Sequence, residues 1–515
     1  MNESKAENVL RAYRDGLYEA GMLRWAQELV KTYPKAEVYL VGGAVRDCLL
    51  KRVDTKDYDF VVRNVAAREL EACLSRFGTV NYVGKSFGVY KLRLHEPPSV
   101  EALDIALPRT EHAWGTGKYR DIDTQSDPAL SLKEDLGRRD FTVNAMAMRV
   151  SGDSRQLLVD SFGGLKDLEE KNIRTVGNPS ERMREDYSRA LRGLRFAVML
   201  EFTIEQETWN ALIRTVSHLH NSDVEGERII PTEIIAKEFL GALEARPTKA
   251  LDLYTESGAL GVLLPELLEM KGCPQPPEYH SEGDVWTHTR LALAVLESAP
   301  FAEQFRESIL TSELEPLWDA ETALTVLLHD VGKPATLTTP EGHGTDRIRF
   351  HEHAEVGARM AGSIIDRLAL TSPAGFGIDR ARVLFMVRHH LLFLHGDVDR
   401  LRPATIEKYF FHDAGRGEKF LKLCYADAAA SIPADGSNTL RDFYRMVARL
   451  NTLKEKGRKT LPPPLLTGNE VMEMLGIPEG PRVGAALHKL REAQLEGTIT
   501  NKKEAVHYLH SQCGN

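Results

Sequence analysis

Leu40-Val41-Gly42-Gly43-Ala44-Val45-Arg46-Asp47 is an apolar run that breaks at two glycines into the start of a helix. Ten residues on comes Asp57-Tyr58-Asp59-Phe60-Val61-Val62, a second apolar strand carrying two aspartates. The order is strand, glycine turn, helix, acidic strand. Glycines at the turn let backbone N–H groups approach an anion with no Cβ in the way, and the helix N-terminus behind them adds positive partial charge. A phosphate is the expected guest. Two aspartates two positions apart in one strand point to one face, as sharing hard divalent cations such as Mg2+ requires. Two such cations serve the attack of a 3′-hydroxyl and the departure of pyrophosphate. Each piece alone is commonly just a turn or a solvated strand end; the order and spacing give them meaning together.

Outward from this stretch, residues 5–32 read as one helix leading into the first strand, and 66–77 as an amphipathic helix after the second. Strands are expected at 79–83, 88–94 and 101–106. The last contains Asp104 among apolar neighbours, where an unpaired charge is costly, so a third metal-site acid is expected there. The polar run from Pro108 to Lys133 has no apolar period and several turn formers, which predicts a mobile loop beside the site. Arg138-Arg139-Asp140-Phe141-Thr142 follows, and paired guanidinium forks suit polyphosphate oxygens. From residue 166 onward helices take over. A helix over 185–197 puts Glu185, Asp186, Arg189 and Arg192 three or four apart. Such pairs usually only decorate a helix. They also have the chemistry to read a base: one Arg donating and one Asp accepting would hold C or A and reject U and G.

At 515 residues the chain is too long for one core. Its 42% hydrophobic and 27% charged content is that of an ordinary soluble protein, and no stretch approaches 18 uninterrupted apolar residues, so no membrane partner and a cytoplasmic setting are expected. The five cysteines are scattered without a C-x-x-C pair, which suggests neither a disulfide framework nor a thiolate zinc site. The net charge of −9 excludes a uniformly basic surface but not a local RNA track, and Lys454, Lys456, Arg458 and Lys459 cluster in the tail. A monomer or homodimer is expected.

The set Gly42-Gly43-Ala44-Val45-Arg46-Asp47, Asp57-Tyr58-Asp59, Arg138-Arg139-Asp140-Phe141-Thr142 and Glu185-Asp186-Tyr187-Ser188-Arg189 resembles the class II tRNA nucleotidyltransferases, the CCA-adding enzymes, of the DNA polymerase beta superfamily. The resemblance covers four motifs over about 150 residues. It implies an α+β chain whose polymerase-beta-like head has a mixed sheet and is followed by all-α neck, body, further domain and tail. It also implies that Asp57 and Asp59 bind the catalytic Mg2+, beside the third acid expected at Asp104, and that Gly42, Gly43 and Arg46 cradle the triphosphate with Asp47 near the ribose. Arg138, Arg139 and Asp140 would face the nucleotide, and Asp186 and Arg189 would read the base, with Glu185 orienting the arginine and Arg192 beside them. CTP, ATP and tRNA are the implied partners. Arg109 and Glu111 are candidate elements of a loop that swings between CTP and ATP use. The unshortened loop disfavours CC-only addition and leaves CCA addition, A-only addition and polyadenylation open.

A second constellation lies in residues 279–430: His288, the His329-Asp330 doublet, His353, His389, His390 and Asp427. A histidine beside an aspartate at the end of an apolar helix offers one soft and one hard ligand to the same cation. With Gly332-Lys333-Pro334 after the doublet, the pattern resembles the HD phosphohydrolase domain. By resemblance His288, His329, Asp330 and Asp427 form the core site, and His353 and His389 hold a second ion. The metal would be Mn, Ni, Fe or similar, or Mg2+. The expected organisation is an N-terminal helix (1–25), head (26–165), neck and body (166–278), HD domain (279–430) and helical tRNA-binding tail (431–515).

Overall fold

The computed structural model describes residues 3–52, 57–83, 89–96, 102–113, 115–118, 122–151, 156–223, 225–311, 316–395, 398–455 and 463–513. The chain divides into two units, one of residues 1–245 with 252–263 and the other of 246–251 with 264–515.

The first unit is built on a seven-stranded mixed sheet. Its strands are β1 (Glu37–Val41), β2 (Asp59–Arg63), β3 (Gly78–Val83), β4 (Val89–Leu94), β5 (Leu103–Ala106), β8 (Met146–Arg149) and β9 (Leu158–Asp160), in the order β3-β4-β5-β2-β1-β8-β9. The pairings are antiparallel except β2 with β5, which run parallel with Asp59 opposite Asp104. Val38, Leu40, Phe60, Val62, Leu92 and Ile105 are buried in one core with Trp25, whose ring meets Phe60 edge-on. Tyr39, Val41, Val61 and Ala147 fill a smaller core with Leu132 and Leu136, as alternation along a strand requires. The central strands β1, β2 and β8 are therefore covered on both faces.

Several expected elements are redrawn. The N-terminal segment is two helices, Glu3–Glu19 and Arg24–Thr32, because Gly21 at φ +76° turns the chain between them. The expected loop after Pro108 is an antiparallel hairpin of β6 (Arg109–Ala113) and β7 (Ile122–Ser126), which forms its own two-stranded sheet. Backbone pairing alone needs no apolar face, so periodicity could not reveal it. Strands also recur past residue 166, as two-residue pairs: β10 (Asn172–Ile173) with β11 (Thr203–Ile204), and β12 (Leu337–Thr338) with β13 (Arg349–Phe350). Residues beyond these are otherwise helical or irregular among those described.

The second unit is helical. Helices Val285–Leu296, Ala320–Leu328, His353–Arg367, Arg380–His389 and Ala414–Ala430 pack their apolar sides together and turn histidines and acids inward. The tail has a core of its own, formed by Leu466, Val471, Ala486, Leu490, Ile499 and Leu509. Thr467 caps the first tail helix, Gly468–Leu475, accepting from the Glu470 N–H while Glu470 returns to the Thr467 N–H, a capping box.

Candidate active site and metal centre

The glycine turn, the acidic strand and the paired arginines meet in one cleft of about 1300 Å3. Gly42 begins it at φ +75°, a conformation open to glycine, and the helix Gly43–Leu49 follows. Asp59 opens β2, whereas Asp57 precedes the strand instead of sharing it; both line the cleft with Asp104. Desolvation pushes the Asp59 carboxyl up, Arg139 pulls it back, and the neighbouring Asp104 and Asp57 push it up again. A buried carboxyl pushed up by two neighbouring acids marks a place where a cation would be welcome. Asp104 also accepts from Lys91 Nζ through both oxygens, at 2.7 and 2.9 Å. Lys91 was not foreseen; its register opposite Asp104 follows from the β4–β5 pairing.

Arg46 is buried beneath the turn. It grips Asp47 with two nitrogens (2.8 and 2.9 Å) and donates to Asn144 Oδ1 at 2.6 Å. Asn144 was missed by residue type, although it stands two positions beyond Thr142 of the arginine motif. Asp135, a fully buried acid in the first turn of the helix Leu132–Gly137, accepts from Arg138 Nε at 3.1 Å and pairs more loosely with Arg139 at 3.9 Å. Asp135 Oδ1 also accepts from the Arg109 backbone N–H at 3.3 Å, at the base of the hairpin. Arg109 lines the cleft, and the side chain of Glu111 lies outside the described residues.

The expected helix over 185–197 is broken. Helix Pro179–Glu185 ends, Asp186 is extended at φ −155°, and helix Ser188–Leu200 begins after Tyr187. The break has a local cause: Asp186 Oδ1 accepts from both the N–H (2.9 Å) and hydroxyl (2.6 Å) of Ser188, satisfying a helix-start donor. The four charged residues still assemble. Arg189 donates to Asp140 at 2.8 Å and pairs with Glu185, while Arg192 pairs with Asp186 and Asp140. Burial opposes the charge on Asp140, but Arg192 and Arg189 outweigh it and hold its carboxyl low. The guanidinium planes are thus fixed before any ligand arrives, and Asp186, Arg189 and Arg192 all line the cleft.

In the second unit, four histidines surround Asp330. His329 Nδ1 lies 2.7 Å from Val326 O, His353 Nδ1 2.9 Å from Phe350 O and His390 Nδ1 2.7 Å from Val387 O. A carbonyl only accepts, so each Nδ1 carries a proton and each Nε2 is turned toward Asp330. His288 is set the same way by Glu282, at 3.0 Å from its Nδ1. On one side, His288 Nε2 is 3.1 Å from Asp427, and His329 Nε2 is 3.3 Å from Asp330 Oδ2. On the other, His353 and His390 Nε2 are 3.6 and 3.5 Å from Asp330 Oδ1. Asp330 Oδ1 and His329 Nε2 are buried with no hydrogen-bond partner, while Asp330 Oδ2 is paired with the Lys333 ammonium at 2.6 Å. Orphaned acceptors in a ring of imidazoles fit a divalent cation. Burial pushes the His353 pKa down to about 4, which keeps its imidazole neutral. His389 is not part of the cluster. It packs against Phe385 and Tyr409, while its neighbour His390 faces Asp330, because successive residues on a helix point about 100° apart.

Residues 38–174 match the family model of the poly A polymerase head domain. The chain is 32% identical over 471 residues to the A-adding tRNA nucleotidyltransferase of Deinococcus radiodurans, covering 90% of this chain and 93% of that protein. It is 33% identical over 423 residues to the multifunctional CCA protein of Nitrosococcus oceani, covering 80% and 90%. The chain belongs to the class II tRNA nucleotidyltransferase family. The family fold also appears in solved structures. The CCA-adding enzyme of Thermotoga maritima, complexed with tRNA-CCA, superimposes with a TM-score of 0.53 at 20% identity, over 95% of this chain and 94% of that one. The Bacillus stearothermophilus CCA-adding enzyme in complex with CTP gives 0.55 at 20% identity, over 95% and 97%. Among the described residues, no helix is long and apolar enough to cross a membrane.

Proposed function

We propose that the first unit adds C and A to the 3′ end of tRNA from CTP and ATP without a nucleic-acid template. The observation that carries this reading is the convergence of Asp57, Asp59 and Asp104 with Arg138, Arg139, Asp186 and Arg189 on one cleft. Asp57, Asp59 and Asp104 would hold Mg2+, which when bound lowers the cost of ionising a 3′-hydroxyl and of releasing pyrophosphate. Arg138 and Arg139 draw the triphosphate toward the acids, and their anchoring by Asp135 limits the side-chain entropy lost on binding. Asp186 accepts and Arg189 donates at the base edge, a pattern that C and A satisfy and U and G do not. The D. radiodurans relative is named for A addition and matches over 93% of its length, so A-only addition is the second reading.

The second unit is proposed to be a separate divalent-metal phosphohydrolase centre of the HD type, held by His288, His329, Asp330, His353, His390 and Asp427. Its support is the unpartnered Asp330 Oδ1 and His329 Nε2 within a ring of buried imidazoles. A double substitution, Asp57→Asn with Asp59→Asn, tests the two proposals together. Loss of nucleotide incorporation with hydrolysis of bis-p-nitrophenyl phosphate retained is expected. Loss of both by this variant would contradict independent sites, and absence of hydrolysis in the unsubstituted chain would remove the second proposal.

A further inference from the structure

The four histidines around Asp330 are not held alike. His329, His353 and His390 each give their Nδ1 proton to a neutral backbone carbonyl three residues earlier. His288 alone gives it to a carboxylate, Glu282 Oε1. That carboxylate is buried, with its side chain 1% exposed, and it is fixed from three directions. Oε1 also accepts from His280 Nδ1 at 2.7 Å, and Oε2 accepts from the Ile432 N–H at 2.9 Å. The adjacent Ser281 returns to Ile432 O through its N–H (2.8 Å) and hydroxyl (2.7 Å). Ile432 lies just past the helix Ala414–Ala430, which carries Asp427. Glu282 therefore ties the ring of His288 to the element that supplies the acid facing it.

A carboxylate on Nδ1–H makes the opposite nitrogen a better metal donor than a carbonyl does, and fixes the ring more firmly. Only one side of Asp330 receives this help. His288, His329 and Asp427 cluster toward Oδ2, where a cation would displace the Lys333 ammonium now at 2.6 Å, whereas His353 and His390 approach Oδ1 with carbonyl support alone. We infer that Glu282 is a positioning residue that makes the His288–His329–Asp427 side the tighter of two unequal metal sites, with the His353–His390 side the weaker. The inference rests on reading this cluster as a metal centre.

The test uses the full chain, stripped of metal and titrated with Co2+, followed by visible absorption and calorimetry. The unsubstituted chain should bind in two phases. Glu282→Gln should weaken the tight phase about 10- to 100-fold, as loss of such an outer partner does, and leave the weaker phase in place as a report that the fold survives. Glu282→Asp, which keeps the charge, should recover part of the loss; if Glu282→Gln does not fold, this variant decides, by a tight phase stronger than the weak one. A tight phase unchanged in Glu282→Gln, or equally weak in Glu282→Asp and Glu282→Gln beside an intact weak phase, overturns the role of Glu282. No Co2+ binding by the unsubstituted chain overturns the metal-centre reading itself and the inference with it.

Discussion

Replacing Gly42 with alanine tests whether the glycine turn works by admitting Arg139. A Cβ at Gly42 would lie 2.7 Å from Arg139 Nη1 and 3.8 Å from Asp59 Oδ2. Ordinary contact begins near 3.4 Å, so the guanidinium must retreat by about 0.7 Å. Arg139 is the arginine that also offsets the raised pKa of Asp59, so the retreat disturbs phosphate and metal positions at once. A misplacement approaching 1 Å costs about 100-fold in rate, or about 2.7 kcal/mol of transition-state stabilisation. The backbone adds a separate stability cost of about 1–3 kcal/mol, because Gly42 sits at φ +75°. Gly258→Ala separates the two effects: Gly258 has φ +80° and nothing within 4 Å of an added Cβ. Steady-state CTP incorporation should fall about 100-fold in Gly42→Ala and little in Gly258→Ala, with comparable melting shifts. Gly42→Ala within about threefold of the unsubstituted rate would refute the close-approach argument.

Asp186→Asn should relax base choice, raising UTP and GTP incorporation relative to CTP and ATP by about tenfold or more, measured in single-nucleotide competition assays. His390→Ala should remove the weaker Co2+ phase while His389→Ala leaves metal content unchanged, as mass-spectrometric metal analysis would show. Glu470 is held down to about 2 by Lys502 and by the Thr467 capping bonds. Its folded pKa is depressed, so its stabilisation is present above the ordinary value of 4.5 and is lost as pH falls from there toward about 2. Hydrogen exchange of the helix Gly468–Leu475 should therefore be faster in Glu470→Gln at pH 7, and the difference should narrow as the pH is lowered through that window.

Much of the head was legible because its chemistry restricts residue choice. Gly42, Arg138, Arg139 and the acids Asp59 and Asp104 are of types that few others can replace in such chemistry, and all line one cleft. What was lost depended on local geometry that sequence period does not carry. Asp186 was placed inside a helix because i,i+3 and i,i+4 spacing looks the same whether a chain continues or restarts. The bonds from Ser188 that decide the matter are side-chain choices. The hairpin of Arg109–Ala113 and Ile122–Ser126 is built almost wholly of polar residues, so it left no apolar alternation to read. His389 and His390 are adjacent and identical, and only the packing of Phe385 and Tyr409 around the first shows which one faces Asp330. Lys91, Asn144, Asp135 and Glu282 escaped notice because they act on other site residues and not on a ligand. Register and tertiary contact reveal them, as with Lys91 opposite Asp104.

The most direct measurement of the central claim is extension of tRNA transcripts ending before CCA, after C and after CC, resolved to one nucleotide, with CTP alone, ATP alone and both. The account predicts that the shortest transcript gains CC with CTP, gains one A only when ATP is also present, and then stops. Extension of the CC-ended transcript alone by one A would establish the A-adding reading instead. A long ladder of A, or no incorporation on any transcript, would contradict the account.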